Sequence, residues 1–164
     1  MKKYNKDRLY LQIITIISFI TLLFTIFRKP PLKDWIIVYL ANTISNVILD
    51  KILVKLKIVE YPYRFFPKYF RIHIIFDYLI YPTFTVIFNQ MTLHDRVSKI
   101  ISKLILISSP FFLIEYWAEK YTNLISWKRG WRMYHTVGSV IFTSLFTRMI
   151  IAVIRKMDQK SHVQ

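Results

Sequence analysis

The uncharged run at residues 9–27 constrains this chain more than any other feature. As an α-helix rising about 1.5 Å per residue it reaches about 28 Å, the thickness of a bilayer's hydrocarbon core. Arg28, Lys29, Pro30 and Pro31 end it, because the prolines break the hydrogen-bond ladder and the charges belong among headgroups. Further apolar blocks follow at residues 36–56, 70–88, 100–117 and 131–154, separated by charged and proline-containing stretches. Hydrophobic residues make up 54% of 164, more than one small soluble core could hide, so lipid is the expected solvent. The pattern predicts a single domain over residues 1–164, an all-α polytopic transmembrane bundle of about five helices. The count falls to four if the second block lies flat in the interface, as its polar stripe would also allow.

The net charge of +15 would suit nucleic acid if it formed one basic face. Lys and Arg instead cluster at block edges, so the expected partner is a bilayer with anionic lipids and not nucleic acid. A second copy of the chain or another membrane protein completes the expected partners. Counted on alternate sides of five spans, Lys and Arg number 14 and 9, with Arg148 left inside a span. The positive-inside rule then puts the N-terminus in the cytoplasm of a multi-pass protein. The Met-Lys-Lys start resembles a signal peptide, but no small-residue cleavage site follows, so the first block is read as a retained span. The connection YPYRFFPKYF at residues 61–70, with two prolines and six aromatics, suits headgroup depth. The tail after Arg155 reads as frayed.

The polar residues inside the blocks carry the functional signal. Asn42, Asn46 and Asp50 recur at four-residue steps, so they share one helix face that should avoid lipid. His73 and Asp77 repeat that spacing in the third block and could form a hydrogen-bonded couple, with Pro82 as a kink beyond them. Asp50 and Glu115 fall toward the ends of helices two and four, while His73, Asp77 and His135 fall toward the starts of helices three and five. Alternating passes bring all of these to one leaflet. An uncompensated ionised group in hydrocarbon costs on the order of 2.5 to 3.5 kcal/mol, so they should face one another or water. The expected intramembrane polar cluster is therefore Asn42, Asn46, Asp50, His73, Asp77, Glu115 and His135, able to relay protons, bind a cation or line half of a permeation path. The bland alternative puts the same groups at headgroup depth, paired with abundant Lys and Arg.

The absence of cysteine excludes disulfides, thiolate metal sites and Cys nucleophiles. HExxH, GxSxG, CxxC and glycine-rich phosphate loops are also missing, and two glycines cannot build a phosphate cradle. His73, Asp77, Glu115 and His135 could ligate zinc or iron by residue type, but their spacing is no recognised signature. Neither a catalytic residue, a metal nor a cofactor is assigned. Trp35, Tyr116, Trp117, Trp127 and Trp131 near block edges read as interface anchors.

At LKDWIIVYL, YPYRFFPK, FDYLIYP, NQMT, EYWAEKYTNLI and GWRMYHT, over residues 28–157, the chain resembles a family of small uncharacterised polytopic membrane proteins of spore-forming bacilli and clostridia. The resemblance implies a membrane location in a Gram-positive host and, only by association with that host range, suggests a role in sporulation or the spore membrane. It supplies no activity and no catalytic residues. The expectation is a small channel, transporter subunit or accessory of a membrane complex. The alternatives are an intramembrane enzyme built on the acid and imidazole cluster, and a structural or lipid-interacting protein.

Overall fold

A computed structural model describes residues 2–161. It is all-α, with helices α1 (Lys2–Arg28), α2 (Leu32–Lys55), α3 (Tyr81–Thr92), α4 (Val97–Tyr121) and α5 (Met133–Ser161). Four of these, α1, α2, α4 and α5, are long and apolar enough to cross a membrane. α2, the uncertain member from sequence, is one of the four. It packs along α3 and α5 and buries residues from Asp34 to Leu53, so it belongs to the bundle along its whole length.

α3 is shorter and central, touching all four long helices. A π-helical stretch, Phe76–Ile80, runs directly into it. The sequence block expected from residue 70 therefore becomes regular helix only a turn later, and the chain around His73 enters it as loop. The π turn sits where Pro82 would interrupt an α-helix, since Pro82 has no N–H for the carbonyl of Tyr78. That carbonyl instead accepts the Tyr39 hydroxyl at 3.0 Å. Pro110 poses the same problem inside α4, where the Ser109 hydroxyl donates to the Leu106 carbonyl at 2.8 Å.

The solvent is legible in what is buried. Ile16, Phe24, Leu106 and Phe142 lie on the outside, while Asn42, His73, Asn89 and Ser144 are almost fully enclosed. Polar and apolar side chains are buried in similar numbers, and the exposed shell is dominated by large hydrophobics. This suits hydrocarbon, in which polar groups must find partners inside the protein. On α5 the small residues Ser139, Thr143, Ser144 and Thr147 form a stripe that lets α2 approach closely. Their hydroxyls mostly bond back to carbonyls of the preceding turn.

The two ends of the bundle differ. At the end where α2 begins and α5 finishes, acids meet bases. Arg155 Nε reaches Asp34 Oδ2 at 2.5 Å, Lys33 pairs with Asp158, and Lys103 reaches Asp95 at 2.5 Å. These contacts hold the last turns of α5 in place up to Ser161, so the region after Arg155 is helical where the sequence suggested fraying. Lys103 and Arg148 also donate to the carbonyls of Met91, Thr92 and Leu93, filling the orphan acceptors at the C-terminus of α3.

At the opposite end, the connections after α2 and α4 join in a two-stranded antiparallel ribbon. β1 (Val59–Glu60) pairs with β2 (Ser126–Trp127), with Val59 opposite Trp127. Tyr63 N–H extends the join by donating to the Asn123 carbonyl at 2.9 Å. Arg64 braces its own loop through the carbonyls of Tyr61 and Phe70. Asn123 also donates to Asp7 at 2.6 Å, fastening the start of α1 to the same cap.

Candidate functional site

Under this cap lies a cavity of about 60 Å³. A cavity needs roughly 10–15 Å³ on this measure to hold one water, so a few waters or a small cation fit and a peptide does not. Its polar lining comes from α2 (Asn46, Asp50), the π turn (Asp77), α3 (Tyr81) and α5 (Thr136, Ser139, Thr143), with Tyr61 arriving from the cap.

Asp50 and Asp77 form its centre. Asp50 Oδ1 accepts the Tyr61 hydroxyl at 2.7 Å, and the Asp77 carboxyl lines the same cavity beside it. The remaining oxygens, Asp50 Oδ2 and Asp77 Oδ2, have no donor within the protein. Ionised carboxylates only accept and repel one another, so two buried around one small cavity favour a bound proton or a cation. Both residues are buried, and among the described residues no Lys or Arg forms an ion pair with either. Tyr61 lies outside the spanning segments. Its burial, then the adjacent Asp50 and Asp77, push its phenol well above the usual tyrosine range.

A second network adjoins the first. Glu115 of α4 accepts from Thr136 at 3.2 Å and Tyr81 at 3.3 Å, and Trp131 Nε1 donates to Thr136 at 3.1 Å. Tyr81 lies between this acid and the Asp50–Asp77 pair. Trp127 and Trp131, read from sequence as interface anchors, stack on each other at 5.2 Å and line the cavity.

Of the sequence-derived cluster, Asn46, Asp50 and Asp77 line the cavity and Glu115 joins it through Tyr81 and Thr136. Asn42 is buried one turn deeper and accepts from Asn46 at 2.7 Å. His73 is fully buried between the rings of Tyr61 and Phe76, and neither ring nitrogen has a hydrogen-bond partner. The expected His73–Asp77 side-chain couple is replaced by a backbone bond, Asp77 N–H to His73 carbonyl at 3.2 Å. His135 stands outside the network. It stacks on Trp131, and its Nδ1 accepts the Arg132 N–H at 3.1 Å, capping the start of α5.

Sequence reasoning did not find Tyr61, Tyr81 or Thr136. Only Thr136 carried a usable signal, since it begins the Thr136, Ser139, Thr143, Thr147 repeat on one face of α5. Among the described residues, no three His, Asp or Glu side chains gather as a transition-metal site would require.

Together these features define a class: a multi-pass helical membrane bundle with a polar cavity at one end. Comparison with known protein families, with curated proteins and with solved structures finds no match to this chain.

Proposed function

We propose that this protein is a non-enzymatic membrane component that takes up a proton or small monovalent cation at Asp50 and Asp77, as a small channel, transporter subunit or accessory of a membrane complex. The observation that carries the reading is the pair of buried carboxyls lining one cavity of about 60 Å³, each with an oxygen lacking a donor. The hydroxyls of Tyr61 and Tyr81 supply the kind of oxygen ligands that alkali cations accept. The small volume weighs against an enzyme acting on a peptide or sugar. On the distribution of Lys and Arg, the cavity end would face the cytoplasm of a bacterial inner membrane, and the family resemblance suggests a spore-forming host.

The test is carbodiimide labelling, which modifies a protonated carboxyl shielded from water. Dicyclohexylcarbodiimide should label Asp50 or Asp77 in the purified protein, and sodium or lithium should protect if a cation competes with the proton. Asp50→Asn with Asp77→Asn should abolish the adduct. Labelling confined to Glu119 and other surface acids would sink the proposal.

A further inference from the structure

A second, apolar cavity of about 300 Å³ lies between α1 and α4, on the far side of Phe76 and Tyr81, which wall both cavities. The two helices touch near one end through Tyr10 and Trp117, whose rings meet edge-on at 5.5 Å. Beyond that contact they diverge, and α1 and α4 are not among the closely packed helix pairs of the bundle. Ile17 and Thr21 form one bank, Phe111 and Ile114 the other, and Phe84 the floor. Since the outer faces of α1 and α4 are the bilayer-facing surfaces of apolar helices, what lies beside this crevice is lipid.

Its one acidic lining residue is Glu115, whose hydrogen-bond partners among the described residues are neutral, Tyr81 and Thr136. Glu119, one turn away, adds a second negative charge nearby. The adjacent cation, Lys120, is turned to the rings of Tyr116 and Tyr121 and bonds the Tyr116 hydroxyl at 3.2 Å. A chain of net charge +15 thus keeps a buried acid that, among the described residues, has no ion-pair partner, at the polar end of a hydrocarbon-lined slot. An amphiphile complements both halves if its tail fills the slot and its head brings a cation.

We infer that the crevice between α1 and α4 holds one hydrocarbon chain of a membrane lipid whose head carries a protonated amine, with the amine on Glu115. The inference is independent of the role assigned to Asp50 and Asp77. A lipid seated here lies against the opposite face of Tyr81 from the carboxyl pair, so occupancy bears on the position of the hydroxyl that separates the two acids.

The experiment uses the full chain in nanodiscs containing phosphatidylethanolamine with a diazirine on one acyl chain, compared with phosphatidylglycerol carrying the same chain. Photolysis should place adducts on Ile17, Thr21, Phe111 and Ile114, with the amine lipid favoured by about tenfold, as the loss of one charge-assisted bond would imply. Thr21→Trp fills the slot and should remove most crevice adducts, while Ile20→Trp on the exposed face should not. Ser18→Leu serves as a milder filling variant should Thr21→Trp misfold. Glu115→Gln should bring the two lipids to equal labelling while adducts remain in the crevice. Adducts as frequent on Ile16 and Phe24 as in the crevice would overturn the site. Equal labelling by the two lipids in the unaltered protein would overturn the amine assignment.

Discussion

Tyr61→Phe removes one hydroxyl and leaves the ring, so it isolates the 2.7 Å bond to Asp50 from the packing of Tyr61 against His73. Tyr61 and Asp50 are both buried, and the freed Oδ1 would join an Oδ2 that already lacks a donor. Leaving a buried acceptor unsatisfied costs about 1–3 kcal/mol, and the ring contributes no change in apolar burial. For a chain of 164 residues, about 2 kcal/mol corresponds to a fall in Tm of about 4–8 °C. Thermal unfolding of the purified protein measures this, with Tyr69→Phe, on a ring 82% exposed, as a control that should not move. The cycle with Asp50→Asn should show coupling of about 1 kcal/mol or more, because the two groups share one bond. The phenol also gives a pH signature. Its folded value lies well above the usual value near 10, so the unfolded chain loses this proton first as pH rises. The stability Tyr61 contributes is full below pH 10 and declines above it, so the unaltered protein should lose stability more steeply than Tyr61→Phe there, by up to about 1.4 kcal/mol per pH unit. A Tyr61→Phe melt within about 0.5 kcal/mol of the unaltered protein, or strictly additive losses with Asp50→Asn, would refute the bond's place in the site.

Two further outcomes concern the opposite end. Arg155→Met leaves the fully buried Asp34 carboxylate without its base and should cost about 2–3 kcal/mol, reduced from a fully buried pair because Arg155 is partly exposed. Adding Asp34→Asn should recover most of that loss in the same melt. Arg148→Met strips donors from the carbonyls of Thr92 and Leu93 and should cost about 2 kcal/mol. It should also speed amide exchange in the last turn of α3, and unchanged exchange there would count against its capping role.

Much of this arrangement is written in local periodicity. The Asn42, Asn46, Asp50 spacing fixed one buried face of α2, and alternation of passes alone brought the end of α2, the π turn, the end of α4 and the start of α5 together. What periodicity does not encode is rotation about each helix axis relative to the bundle. His135 and Thr136 are neighbours in sequence but point about 100° apart on a helix, and the register of α5 turned Thr136 inward and left His135 as a cap. The π turn has the same effect on the third block, because its extra residue shifts every side chain before Pro82 around the axis. His73 and Asp77, four apart in sequence, do not meet through their side chains because His73 lies in the loop that precedes the first helical residue, outside the helical face that Asp77 occupies. Tyr61 was hidden for another reason. Tyrosine at a block edge is ordinary at headgroup depth, and only the pairing of two loops distant in sequence turned this one inward.

That pairing bears on how the chain is made. β2 leaves the ribosome more than sixty residues after β1, so α1, α2 and α3 enter the membrane before the ribbon can close. In that interval Asp50 and Asp77 are already in the chain, while Trp127, Trp131 and Thr136, which complete the lining, have yet to be made. The cavity's lining is thus complete only once α5 has been made as far as Thr143, and a chain stopped after α3 would carry its carboxyls without a roof.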